Sequence, residues 1–315
     1  MKSLSTYEDK VYISVIITAY NRKEFLLNAI KSTLNQTLDK RYYEIIIITN
    51  FRDKNIDNFI RENNIKHILM EGKIGNFLYK GISVSNGEIL VFLDDDDLFF
   101  ENKLDIVYKE FKKDNNVVYY HNAPIAMSEK REKFDQKFEK KFNSTLGKSP
   151  LFNLSSISVR KSILNLDNVK KINSNPDDFM YLSALDSGKN IIKGKEKLTH
   201  YMVHNSTSRF YTDDINEFIK GKTLNFELEK STFLMLSKIF FSKNAIGYIT
   251  GRIAYLEILS YIFGSNIKPN NIWNIFKNQT LPYYSKLMVF AAYVVVRVHI
   301  NFRNRIIKVL FNSGF

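Results

Sequence analysis

Four apolar, β-branched runs alternate with amphipathic segments over the first hundred residues, and that alternation restricts the fold more than any other feature. Residues 11–18 (VYISVIIT), 44–49 (EIIIIT), 66–70 and 89–93 read as strands, the first and last of them buried. Between them Phe25, Ala29, Ile30, Thr33 and Leu34 share one helical face, and Ile56, Phe59 and Ile60 mark a second helix. Residues 75–85 form a third helix that ends near Asn86-Gly87, and residues 101–113 a fourth. Such alternation implies right-handed crossovers and an α/β fold, a mostly parallel sheet flanked by helices.

Ligands of such sheets bind beyond the carboxyl ends of the strands. This chain places Tyr20-Asn21, Asn50, Glu71-Gly72 and Asp94-Asp95-Asp96-Asp97 there. Four adjacent carboxylates repel one another unless a cation or hydrogen-bond donors compensate them. Hard oxygen ligands suit Mg²⁺ or Mn²⁺, and Mg²⁺ is commonly held by one or two carboxylates together with substrate phosphates. Taken in isolation, the same cluster also reads as an acidic cap favoured by the dipole of the helix that follows. No Gly-x-Gly-x-x-Gly follows the first strand, and no Gly-x-x-x-x-Gly-Lys-Ser/Thr occurs. Neither dinucleotide nor P-loop phosphate binding is therefore signalled. A nucleotide held without a glycine cradle needs a metal to carry its diphosphate charge.

Three segments, Ser14 to Arg22 (SVIITAYNR), Gly81-Ile82 with Gly87-Glu88-Ile89, and Phe92-Leu93 ahead of Asp94 to Asp97, together resemble glycosyltransferase family 2. The resemblance implies a GT-A fold, a nucleotide-sugar donor and inverting transfer to a glycan or lipid-linked acceptor. Under it Thr18, Tyr20, Asn21, Asn50 and Asp94 are donor-binding residues. Asp94 and Asp96 match the family's Asp-x-Asp motif, with Asp96 on Mn²⁺ or Mg²⁺. Asp97 matches the acid that often follows as a supporting group, and Asp95 is left facing away. Two segments depart from the family pattern. Thr49-Asn50-Phe51-Arg52 stands where Asp-Asp-Gly-Ser is usual, so the acid that recognises the base is missing, although the Asn50 amide can both donate and accept. Phe77-Leu78-Tyr79 replaces the common Ala-Arg-Asn.

In the middle of the chain Phe134, Phe138 and Phe142 recur every four residues within a highly charged stretch, the pattern of a solvated helix resting on a core or of a flap over an acceptor. Residues 154–161 alternate like a strand with one polar face. Phe179, Leu182 and Leu185 then mark a helix ending at Gly188, with Asp177-Asp178 in its first turn. Helix capping alone accounts for such acids. The resemblance adds that the second acid of this pair is the usual base, so Asp178 is expected to be catalytic and Asp177 to support it. The resemblance also sets His204, followed by Ser206 and Ser208, beside the metal and diphosphate. His200 is read as structural.

The net charge is +13, and it is uneven. Between Ser231 and Phe315 six Lys and four Arg face the single acid Glu257, an excess of nine positive charges. Residues 1–215 are expected to form the glycosyltransferase domain, and residues 216–315 a basic, aromatic helical region. Phe233, Leu236, Ile239 and Phe240 form one face of it, and Ile253, Leu256, Leu259 and Ile262 another. Residues 287–296 are apolar without interruption, too few to span a bilayer. An anionic membrane surface fits this composition, which would place the protein peripherally at the inner, cytoplasmic face of the plasma membrane. Homo-oligomerisation through the same surface is the second reading. The absence of cysteine fits a reducing compartment, and the first ten residues lack a signal-peptide core. A nucleic-acid partner is not expected, since the predicted crevice is acidic; a basic nucleic-acid-binding protein and a non-catalytic scaffold are the alternatives to an enzyme.

Overall fold

Strand β1 (Ile13–Ala19) is buried at all seven of its positions, as a central strand covered on both faces must be. In this computed structural model it pairs in parallel with β2 (Tyr43–Thr49) on one side and β4 (Ile89–Asp94) on the other, and β2 pairs in parallel with β3 (Lys66–Leu69). Helices α1 (Leu26–Leu34), α2 (Lys54–Glu62) and α3 (Ile74–Ser83) make the crossovers. The structure describes residues 11–128, 153–203, 214–277 and 283–312. The chain divides into two units, Met1–Val203 and His204–Phe315.

Two motif glycines are explained by close packing. A Cβ on Gly81 would lie 2.7 Å from Ile16 Cγ2 and 3.0 Å from Ile48 Cδ1, so only glycine lets α3 settle on β1 and β2. A Cβ on Gly87 would lie 2.5 Å from the backbone nitrogen of Ser14, so glycine lets the chain enter β4 against the start of β1. Both contacts set the depth at which the strand ends are presented.

Beyond β4 the sheet becomes mixed. The elements are β5 (Leu98–Phe99), α4 (Lys103–Lys113), β6 (Val117–Ser128), β7 (Ile157–Arg160), α5 (Leu166–Val169), α6 (Pro176–Ser187) and β8 (Asn190–Val203). The strand order is β3-β2-β1-β4-β7-β6-β8-β5. β7 runs antiparallel to both β4 and β6, β6 and β8 are parallel, and β5 is antiparallel to β8.

Three expectations change here. The apolar run at residues 117–120 reads as a short strand, but β6 continues to Ser128, and β5 and the lysine-rich first half of β8 were not anticipated. β8 opens with Lys193, Lys195 and Lys197, all exposed, which masks its strand character in sequence while suiting a strand near the sheet edge. The stretch from Leu154 has no solvated polar face: a short 3₁₀ turn (Leu154–Ser156) leads into β7, and Ser155, Ser156 and Ser158 are fully buried. β7 lies between β4 and β6, and its one serine, Ser158, is buried like the two in the preceding turn. The helix expected around Phe134 to Phe142 lies outside the described residues.

The second unit contains α7 (Ile215–Leu236), α8 (Lys243–Ile262), a 3₁₀ segment (Ile272–Lys277), α9 (Tyr283–Val298) and α10 (Arg303–Asn312). Asp214 caps α7, accepting from the Asn216 and Glu217 amides at 2.8 Å each. The expected faces meet between α7 and α8, with Phe233, Leu236 and Phe240 buried on one side and Leu256, Leu259 and Ile262 on the other. Among the described residues no helix is long and apolar enough to cross a membrane.

Candidate active site

In the sheet register Thr18 lies opposite Asp94 and Ala19 opposite Thr49, so β1, β2 and β4 end together at one edge. The turn after β1 needs a left-handed residue, and Asn21 supplies it with φ 54°. Its amide N–H donates to Asn50 Oδ1 at 2.8 Å, and Asn50 Nδ2 donates back to Asn21 Oδ1 at 2.7 Å. The Thr49 hydroxyl donates to the Phe51 carbonyl at 2.9 Å and meets His67 Nε2 at the same distance, fixing the turn after β2. Tyr20 is 55% exposed, edge-on to Phe77 with ring centres 6.0 Å apart. Four of the residues expected to bind donor, Thr18, Asn21, Asn50 and Asp94, are thus joined by register or by hydrogen bonds.

The four carboxylates at the end of β4 are held differently from one another. Arg22 donates from Nε to Asp95 Oδ2 at 2.9 Å and from its NH2 nitrogen to Asp95 Oδ1 at 2.5 Å, and the same nitrogen lies 2.7 Å from Asp96 Oδ2. Asp95 is buried, so the residue expected to face away instead anchors the cation that compensates the cluster. Asp97 is also buried, with Oδ2 accepting from Asn153 Nδ2 at 2.5 Å and Oδ1 from the Met202 amide at 3.0 Å. Both of its oxygens tie the end of β4 to neighbouring chain. The Asp94 amide donates to Ser155 Oγ at 2.9 Å. Burial and the charges of Asp97, Asp96 and Asp95 push the Asp94 carboxyl well above the usual carboxylate range, and the attraction of Arg22 is the weakest influence on it. Burial and like-charged neighbours thus both oppose ionisation of Asp94.

Beneath the cluster is a cation that sequence reasoning missed. Lys103 is fully buried in the first turn of α4. Its Nζ donates to Asn122 Oδ1 at 3.0 Å, the Ser155 carbonyl at 2.5 Å and Thr199 Oγ1 at 2.9 Å, and lies 4.0 Å from the centre of the Phe99 ring. Burial lowers its pKa well below the ordinary lysine value, while the Asp97 charge acts in the opposite sense. One ammonium thus joins β6, the turn before β7 and β8 under the acidic loop. A lysine in a first helical turn opposes the dipole, and that mismatch was the available signal. Arg22 and Ser155, likewise unassigned from sequence, carry no such mark.

Asp177 and Asp178 occupy the first turn of α6, behind left-handed Asn175 and Pro176. Asp178 is buried and accepts from Asn175 Nδ2 at 3.4 Å. Burial, with help from Asp177, Tyr181 and Asp178, holds the Tyr119 phenol well above its ordinary pKa. α6 packs on β7, and β7 pairs with β4, so one strand links the helix carrying Asp178 to the strand carrying Asp94. His200 pairs with Leu98 and stacks on Phe100 at 3.9 Å. His204 lies outside the described residues.

Among the described residues no three His, Asp or Glu side chains group as a metal cage. The donor set nevertheless suits Mg²⁺ or Mn²⁺ in the regime where substrate phosphates complete the shell, with hard oxygens on Asp94 and Asp96 and an undercompensated charge on Asp94.

The model of glycosyl transferase family 2 matches residues 14–172, from β1 to just before α6. An uncharacterized glycosyltransferase of Rickettsia bellii is 36% identical over 117 residues, which are 35% of this chain and 16% of that protein. The chain spans a fifth or less of the three rickettsial relatives it matches. The poly(ribitol-phosphate) β-N-acetylglucosaminyltransferase TarP of Staphylococcus aureus is 25% identical over 235 residues, covering 66% of this chain and 71% of TarP. Of solved structures, S. aureus TarS residues 1–349 superpose with a TM-score of 0.53 at 14% identity, covering 97% of this chain and 92% of that one. The mannosyltransferase PcManGT of Pyrobaculum calidifontis gives 0.54 at 11% identity, covering 97% and 86%. These superpositions identify the fold as GT-A. With the family model covering the sheet edge, the acidic cluster and the strands that support them, the chain belongs to glycosyltransferase family 2.

Proposed function

We propose that the chain is an inverting, metal-assisted glycosyltransferase that moves a sugar from a nucleoside-diphosphate sugar to a hydroxyl of a glycan or lipid-linked acceptor. The observation that carries this reading is Asp94, half-buried opposite Thr18 at the common end of three parallel strands and surrounded by like charges. Such a carboxylate is costly to keep ionised unless a ligand brings positive charge to it. Neighbours of the same fold support the donor class: one TarS structure holds UDP-GlcNAc, and PcManGT holds GDP-Man and Mn²⁺.

In this reading Asn21 and Asn50, locked to each other, present the nucleoside end of the crevice. Asp94 and Asp96 would hold the cation, whose contribution when bound is to offset charge on the departing diphosphate. Arg22 fixes the direction of Asp96 by pinning it together with Asp95, and Lys103 with Asp97 keeps the loop rigid beneath them. Asp178 accepts the proton of the acceptor hydroxyl as its oxygen bonds to the anomeric carbon. The bond from that carbon to the phosphate oxygen breaks on the opposite face, which inverts the anomeric configuration.

Calorimetric titration of UDP and GDP with and without Mn²⁺ tests the donor side. Wild type is expected to bind one of them at least tenfold more tightly with the ion present, and Asp94→Asn to lose that gain. Binding that is absent in every case, or equally tight in the variant, overturns the reading.

A further inference from the structure

The uninterrupted apolar run near the C-terminus does not disappear into a core. α9 packs on α8 through one face, burying Lys286, Tyr293 and Val296. Along the opposite side Tyr284, Leu287, Met288, Ala291, Val295 and Val298 are all exposed. They follow one another at intervals of three, one, three, four and three residues, and so form a single stripe about 100° wide. Trp273 extends this apolar surface: it is 68% exposed, and its ring centre lies 5.0 Å from that of Phe290 on α9.

Charge identifies what covers the stripe. Residues 258–315 contain no Asp or Glu. Lys268, Lys277, Arg297, Arg305 and Lys308 are exposed in the same unit. A second copy of the chain laid face to face on α9 would bring two of these acid-free, basic segments together, and like charges oppose that. An anionic surface instead meets the cations while the stripe enters an apolar layer. At sixteen residues α9 spans about 24 Å, less than a bilayer's hydrocarbon core, so it is too short to cross a membrane.

We propose that the exposed face of α9, with Trp273 beside it and the basic residues of α10, is a docking surface for the interface of an anionic lipid bilayer. The stripe supplies buried apolar area, the aromatic residues sit at headgroup depth, and the cations give selectivity for negative lipid. This surface does not depend on the glycosyltransferase reading, and its test uses no donor.

The chain has one tryptophan, which serves as a built-in reporter. Full-length protein is mixed with phosphatidylcholine vesicles with or without roughly one-third phosphatidylglycerol, and flotation is read together with Trp273 emission. Wild type is expected to float with the anionic vesicles, with blue-shifted emission, and to bind neutral vesicles at least tenfold more weakly. Leu287→Glu with Val295→Glu, both at exposed positions, should lower binding at least tenfold with an unchanged melting curve. Arg305→Ala with Lys308→Ala should lower it about 25-fold, at roughly fivefold for each cation lost. Equal binding to both vesicle types overturns the proposal. So does retention of binding by the Glu variant, or a lipid-free dimer in light scattering that the Glu variant dissolves while wild type ignores vesicles.

Discussion

Arg22 and Asp95 form a two-point ion pair, 2.9 and 2.5 Å, at the floor of the acidic loop, and the same guanidinium reaches Asp96 at 2.7 Å. Truncating Arg22 leaves a buried carboxylate without its partner. Arg22→Ala should therefore lower unfolding free energy by about 3 kcal/mol in urea denaturation. Arg22→Lys keeps the charge but not the fork, and should recover only part of the loss. A loss below about 0.5 kcal/mol, the range of an ordinary surface substitution, would contradict the assignment.

Asp94 makes a prediction about pH. Its folded-state pKa is raised, so between the usual carboxylate value and that raised value the folded protein binds more protons than the unfolded chain. Stability of the ligand-free protein should then fall as pH climbs through that window. Asp94→Asn should flatten the profile and be more stable at neutral pH by about 1 kcal/mol or more, since the undercompensated charge is gone. Melting curves from pH 4 upward check both points, and a wild type that gains stability across that window through this residue is ruled out by the sign.

Lys103 is expected to be worth more than its place on a helix suggests. Lys103→Met leaves the Asn122 and Ser155 acceptors and the buried Asp97 carboxylate without their cation, at a cost of about 2–4 kcal/mol. Chemical denaturation measures the loss, and a near-neutral result would show that the network closes without the ammonium.

Asn50 differs from the family's usual acid, and its bonds indicate that reverting it brings no benefit. In Asn50→Asp the side chain can no longer donate to Asn21 Oδ1, and two acceptors face each other at 2.7 Å. Donor affinity should fall about tenfold, tracking a loss of about 1.4 kcal/mol in the turn. Tighter donor binding in the variant would show that the missing acid matters more than the Asn21 turn.

The parallel half of the sheet was legible in sequence because Ile13–Ala19, Tyr43–Thr49 and Ile89–Asp94 are buried at all but Glu44 and Asp94 and read as largely apolar, β-branched runs. The roles of Gly81 and Gly87 became clear only with their neighbours, since neither has a positive φ and each is required by a close backbone approach. The first half of β8 was hidden because its lysines face solvent near the sheet margin, and β5 because two residues make no pattern. The acidic loop was visible as a unit, but its division of labour was not. Asp95 and Asp97 were recognisable as structural only through Arg22, Asn153 and the Met202 amide, partners 56 or more residues away in sequence.

Asp178 provides the most direct test. Its carboxyl is buried at the start of α6, and Asp178→Asn changes one acceptor oxygen to an amide while preserving shape. Sugar transfer should be measured in wild type and variant with the donor that calorimetry selects, with donor affinity determined in parallel. The expected result is a loss of transfer of about 10²- to 10⁴-fold with donor affinity within about twofold of wild type. Transfer at the wild-type rate in Asp178→Asn, with donor binding intact, would contradict the assignment of the base.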